Sequence, residues 1–366
     1  MYSTKKELKK FLGDKKFKKI FVLTGKKSFT LSNAKQVVVN MLLKKKIKYY
    51  YKRSKIPDLT ELKKIIIEIR KFEPDLILAI GGGSVIDYAK IANVVEIRNN
   101  LSDLIINYSY PISKRYTKLA VIPTTAGSGA EVTSNAVIYV DKIKYSFEHN
   151  LLIPDYFFLL PELVASASYK IKASSGFDAI AQALESIISQ KSDHKSIKYA
   201  SDSLKISIST FPQFLTNPSI VNSGKMLLAS NLAGKAINIS KTTAPHAISY
   251  PFTSIYNISH GHAVSLFFEN LIKFNFDNLK KSSTKFDLSK RFDLIFKLFE
   301  VDDIDKLFNK IIQIKKVSRL KDNFNELKLF NIKPKKIIQG INLLRLKNNP
   351  VKISENELIK IIKNKT

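Results

Sequence analysis

Glycine is scarce in this chain, with 12 in 366 residues, and five of them fall in two short loops, Gly81-Gly82-Gly83 and Gly127/Gly129. Each loop follows a short apolar run, residues 75–80 before the first and 119–123 before the second. Residues 19–24 form a third such run, ending at Gly25. Short apolar runs stopped by turn residues read as buried strands. Between them lie helical patterns: Ala34, Val37, Val38, Met41 and Leu42 on one face, then residues 59–72 after Pro57-Asp58. Strand, tight turn and helix, repeated, predict a parallel sheet covered on both faces. After about residue 160 helical patterns take over, at 174–189, 196–209, 225–239 and 263–274. A length of 366 residues suits two domains,. The expected architecture is an α/β domain over 1–160 followed by an all-helical domain over 161–366.

Composition closes off several classes. With no cysteine there is no disulfide scaffold, thiolate zinc site, iron–sulfur cluster or cysteine nucleophile, in keeping with a reducing compartment,. Lysines run through the first 25 residues with no apolar core among them, so no signal peptide is expected,. The longest apolar stretch, 151–167, is interrupted by Pro154, Asp155, Pro161 and Glu162, so no membrane span is expected,. A cytoplasmic protein is expected. The charge is unusual, 61 Lys+Arg against 31 Asp+Glu, net +30. Such a balance suits nucleic acid, an anionic surface or a small anionic substrate. The densest patch, residues 44–53, interleaves lysines with Tyr49, Tyr50 and Tyr51 as a nucleic-acid surface would,. The lysines are nevertheless spread along the whole chain, which argues against a nucleic-acid partner.

Gly81, Gly82 and Gly83 let backbone N–H groups approach an anion, and the helix that follows adds a partial positive charge at its start,. Ser84 can donate to a phosphate oxygen, and Asp87, one turn in, can hold a hydroxyl or a backbone group. A tight turn without a ligand is the plainer alternative. The second loop, residues 123–131, again ends a strand, where dinucleotides sit in open α/β sheets,. The two together make a phosphate-and-ribose cradle. The spacing is neither G-x-G-x-x-G nor a P-loop.

A third constellation has the donors of a metal site. Of five histidines, His246, His260 and His262 fall within 17 residues. Upstream, Asp178, Gln182 and Glu185 share one face of a predicted helix otherwise rich in Ala and Leu,. A buried polar face of that kind needs partners. A carboxylate with imidazoles suits a divalent transition metal such as Fe(II) or Zn(II).

Taken together, the residues of the 81–87 loop, of 123–133, of the Asp178 helix and of the His246…His260-Gly261 segment resemble the iron-containing (group III) alcohol dehydrogenases, in order and spacing, over roughly 15–275. Within that family, residues 243–251 and 260–264, Asp178…Gln182…Glu185-Ser186 and the late 345–350 segment look most like the phosphonoacetaldehyde reductases. The resemblance implies a Rossmann-like domain, a helical domain of dehydroquinate synthase-like architecture and an active site in the cleft between them. It implies NAD(P)(H) against Gly81, Gly82, Gly83, Ser84 and Asp87, with Thr124, Thr125, Ser128 and Lys144 on the other wall. It implies a metal, Fe(II) before Zn(II), held by Asp178, His246 and His260. It also implies a homodimer.

The chain departs from the family at several positions. Gln182 stands where a second helix ligand, a histidine, is common, and an amide oxygen ligates more weakly. Tyr250 stands where many members carry a histidine near the reacting carbonyl, and Leu160 replaces an acidic residue, without evident functional meaning. Gly25 stands where NAD-preferring members carry an aspartate, leaving Lys26, Lys27 and Ser28 free to receive a 2′-phosphate, so NADPH is expected with NADH accepted. The implied reaction is reduction of a small anionic aldehyde to a primary alcohol, phosphonoacetaldehyde to 2-hydroxyethylphosphonate, with Tyr250 or His262 relaying the proton. The alternatives are a general short-chain alcohol dehydrogenase, a lyase of the dehydroquinate synthase type, and a catalytically dead basic derivative that binds nucleic acid.

Overall fold

Parallel strands carry the first half of the chain in the computed structural model, which describes residues 3–141 and 143–365. The strands are β1 Lys19–Gly25, β2 Lys46–Lys52, β3 Leu76–Gly81, β4 Lys118–Pro123, β5 Asn135–Val140, β6 Ile143–Glu148 and β7 Tyr156–Phe157. Five of them form a sheet in the order β2-β1-β3-β4-β7, each neighbour parallel, while β5 and β6 form a separate antiparallel pair.

Both faces of the sheet are covered, which is why its strands read as unbroken apolar runs. Phe21, Leu23, Ile77, Ala79, Leu119 and Val121 pack with Leu62, Ile65, Ile66 and Ile69 of the Leu59–Phe72 helix. The alternate residues Ile20, Val22, Leu76, Leu78, Ile80, Ala120 and Ile122 pack on Leu8 and Leu12 of the Lys5–Gly13 helix and on Val38. The basic and aromatic 44–53 patch is largely the edge strand β2. Its Tyr49 and Tyr51 stack at 6.1 Å, and both rings lie against Phe29.

Residues up to Ser168, with Pro218–Leu228, make one compact unit, and Tyr169–Asn217 with the chain from Ala229 onward make the other. The sequence reading put this boundary at 160. No strand among the described residues follows β7. In the second unit, every residue from 172 to 188 except Ser175 is buried along the Tyr169–Ile188 helix. The pattern at 263–274, expected as one helix, is two, His260–Ser265 and Phe268–Asp277. Leu266, Phe267 and Phe268 are consecutive and all fully buried, which one straight helical face cannot achieve, and the chain breaks at Phe267 (φ −118°, ψ 3°). Among the described residues no helix is long and apolar enough to cross a membrane.

Candidate functional site

In the first unit the two glycine-bearing loops meet. The chain lays β2 on one side of β1 and then crosses to β3 on the other, and such a switch point opens a crevice at the carboxyl ends of the strands,. Gly25, Gly81 and Thr124 lie at the ends of β1, β3 and β4, with Gly81 level with Pro123 and the Thr124 N–H donating to the Gly81 carbonyl at 3.1 Å. A Cβ on Gly82 would come within 3.3 Å of Thr125 Oγ1, and one on Gly83 within 3.0 Å of Ser128 Oγ. The loops therefore touch through side-chain hydroxyls on one wall and bare backbone on the other. Gly82 caps the Gly83–Ala92 helix, whose first N–H groups lack intrahelical partners,. Asp87 lies on this helix near the charges of Lys90 and Lys144; burial raises its carboxyl above the usual range, against both cations. Lys90 is fully buried, donating to the Thr133 carbonyl at 2.7 Å and the Asn135 carbonyl at 2.9 Å.

In the second unit Asp178, His246 and His260 bring one ligand atom each to within 4.8 Å of one another. His246 Nε2 is 3.2 Å and His260 Nε2 4.0 Å from Asp178 Oδ1. The other carboxylate oxygen, Oδ2, accepts from Gln182 Nε2 at 3.0 Å. His246 Nδ1 bonds Glu185 Oε1, and Glu185 Oε2 accepts from the Thr243 N–H at 2.6 Å and its hydroxyl at 2.8 Å. Burial would lower the His246 imidazole, but Glu185 and Asp178 outweigh it and hold it up to about 10. His260 sits on a helix pressed onto the Asp178 helix. A Cβ on Gly261 would fall 1.9 Å from the Ser174 carbonyl oxygen, so this approach requires glycine.

The donor set fits a divalent metal. Two imidazoles and one carboxylate converge, and His246 is oriented through its second nitrogen by a carboxylate, as metal-bound histidines are. Gln182 adds a further sign. It is 3% exposed, its NH₂ serves Asp178, and its Oε1 is buried with no hydrogen-bond partner. An acceptor left so costs about 1–3 kcal/mol, which a neighbouring cation would relieve.

Tyr250 is 7% exposed, with its ring 5.9 Å from that of His260. His262 is not part of the Asp178–His246–His260 cluster. Its Nε2 donates to the Lys321 carbonyl at 2.8 Å. Burial, with Lys170, Lys315 and Lys321 nearby, keeps its pKa below the usual range against that bond. Sequence reading grouped Glu185 with Asp178 and Gln182 on one face but left its partners unnamed; they lie at Thr243 and His246.

Comparison with known proteins follows the same division. Residues 3–161 match the family described as "Iron-containing alcohol dehydrogenase", and residues 172–366 match "Fe-containing alcohol dehydrogenase family, C-terminal". A 1-propanol dehydrogenase of Citrobacter freundii is 32% identical over 213 residues, 57% of this chain and 54% of that one. A phosphonoacetaldehyde reductase of Streptomyces viridochromogenes is 28% identical over 220 residues, 57% of this chain and 55% of that one. The matched stretch thus spans about half the length of either relative, 54% and 55%. The crystal structure of sulfoacetaldehyde reductase from Bifidobacterium kashiwanohense in complex with NAD+ superposes with a TM-score of 0.87 at 24% identity, covering 99% of this chain and 94% of that one.

Proposed function

We propose a function from one premise: the chain belongs to the iron-containing alcohol dehydrogenase family. It reduces a small aldehyde to a primary alcohol with NAD(P)H, using a divalent metal. The observation that carries this reading is the buried Asp178–His246–His260 cluster with its Glu185 and Gln182 partners.

Asp178, His246 and His260 would hold the metal, with Gln182 Oε1 as a fourth donor. Bound there, Fe(II) or Zn(II) supplies Lewis acidity that stabilises charge developing on the substrate oxygen. Gln182 Nε2 keeps Asp178 Oδ2 engaged, while Oδ1 faces the two imidazoles. Tyr250, one turn from His246 and beside His260, relays the proton to the product oxygen. His262 Nε2 is engaged with the Lys321 carbonyl, and the relay falls to Tyr250 before it. In the first unit, Gly81, Gly82, Gly83, Ser84 and Asp87 take the pyrophosphate and nicotinamide side of the cofactor, and Thr124, Thr125, Ser128 and Lys144 the other wall. Lys26 and Lys27, exposed just past Gly25, receive a 2′-phosphate, so NADPH is preferred. A homodimer and a cytoplasmic setting belong to the same reading.

The substrate we favour is phosphonoacetaldehyde, reduced to 2-hydroxyethylphosphonate. The 28% identical relative of that activity and the net charge of +30, which steers anions, support it,. The 32% identical 1-propanol dehydrogenase supports a second reading, a reductase of plain short-chain aldehydes. NADPH oxidation by Fe(II)-loaded protein separates them, with phosphonoacetaldehyde and propanal assayed side by side. A preference of about a hundredfold in kcat/KM, near 2.7 kcal/mol, for the phosphonate is expected. Equal values would leave the general dehydrogenase, and no oxidation with either would remove the reductase reading.

A further inference from the structure

The 345–350 segment, singled out by its sequence, has so far no role. Its two asparagines are buried, Asn348 to 4% exposure and Asn349 to 1%, and both reach the turn that leads into His246. Asn348 Nδ2 lies 2.9 Å from the Ser240 carbonyl, 2.9 Å from the Thr242 carbonyl and 2.8 Å from Ser189 Oγ. Asn349 Oδ1 accepts from the Ala244 N–H at 3.4 Å. Asn349 is itself fixed by a reciprocal amide pair with Asn275, at 2.7 and 3.3 Å, and by the Val351 carbonyl at 2.7 Å.

The turn needs holding. Lys241 has φ 60°, a left-handed conformation that costs free energy in a residue with a Cβ, and Asn348 bonds the carbonyls on either side of it,. Next along the chain, Thr243 donates twice to Glu185 Oε2, and Glu185 Oε1 accepts from His246 Nδ1. Hydrogen bonds and two short stretches of backbone therefore join the asparagines to His246.

We propose that Asn348 and Asn349 are positioning residues for the metal ligand His246: they clamp the 240–244 turn so that Thr243 orients Glu185 and Glu185 orients the imidazole. This rests on the metal-site reading above. Outer-shell partners of metal ligands typically change metal affinity by 10–100-fold when removed, and an effect of that size is expected here.

The test titrates Co(II) into metal-stripped full-length protein, reading the dissociation constant and the visible ligand-field spectrum. The variants are Asn348→Ala, Asn349→Ala and Thr243→Val, with Leu307→Ala, a fully buried apolar residue whose side chain makes none of these hydrogen bonds, as a control for general loss of stability. The asparagine variants and Thr243→Val are expected to bind Co(II) at least tenfold more weakly with shifted bands, and Leu307→Ala to keep both at a lower melting temperature. Should the asparagine variants fail to fold, Thr243→Val, which removes one hydroxyl, decides. Affinity within twofold of the unaltered chain and an unchanged spectrum in the folded variants would overturn the inference. No Co(II) uptake by the unaltered chain would overturn the metal-site reading itself, and the inference with it.

Discussion

Glu185 and His246 share a hydrogen bond inside the helical unit, the carboxylate fully buried and the imidazole 3% exposed. A buried carboxylate on Nδ1 leaves Nε2 facing Asp178, so this pair decides which nitrogen is offered to a cation,. Glu185→Gln keeps the shape and removes the charge. Metal affinity is expected to fall by roughly 10–100-fold with little loss of helix content. Metal competition against a chelating dye, together with circular dichroism, checks both halves.

Gly261 sets the distance between the helices of Asp178 and His260. Because an added Cβ would fall 1.9 Å from the Ser174 carbonyl oxygen, Gly261→Ala must push the His260 helix away from Asp178. The expected result is a loss of about 1–3 kcal/mol in stability, accompanied by loss of metal binding. Thermal melting with metal analysis on the same sample tests it. Unaltered metal content in a folded variant would show that the approach is not needed.

On the proposed reading Gln182 offers an oxygen to the metal in place of a third imidazole, and an oxygen donor favours harder, higher-coordinate ions,. Gln182→His is expected to raise Zn(II) affinity at least about tenfold relative to Fe(II). Parallel competition titrations of the two ions would expose the change. An unchanged ratio would mean that the side chain at 182 does not ligate.

Gly25 controls coenzyme choice on the proposed reading. Gly25→Asp places a carboxylate at the end of β1, where it repels a 2′-phosphate and accepts from ribose hydroxyls. The Ser28 hydroxyl, 2.8 Å from where the Cβ would sit, can rotate aside. The KM for NADPH should rise at least about tenfold while that for NADH holds or falls. Steady-state kinetics with both coenzymes would reveal the shift, and equal changes in both would count against the assignment.

Much of this was legible in the residues, and the reasons differ by element. The Leu59–Phe72 helix follows its apolar period to the residue because Asp58 caps it and one face is buried. β1, β3 and β4 declared themselves because strands buried on both faces tolerate few polar residues. β2 did not. As an edge strand it carries Lys46, Lys48 and Lys52 beside the half-buried Tyr49 and Tyr50 and the exposed Tyr51, and so imitates a binding surface. The β5–β6 hairpin was also hidden, since its turn places Asp141 at φ 49° with no glycine to mark it. At the proposed metal site the donors were visible, but their support was not. Asn348 lies 106 residues from Thr242 in sequence, and Glu185 lies 58 from Thr243, separations that no local pattern encodes.

The most direct test of the account is to titrate Fe(II) into chelator-stripped protein while following NADPH oxidation with an aldehyde, beside Asp178→Ala and His260→Ala. The account predicts no turnover in stripped protein, activity that saturates near one Fe(II) per chain, and no recovery in either variant. Full turnover in stripped protein, or full activity in both variants, would contradict it.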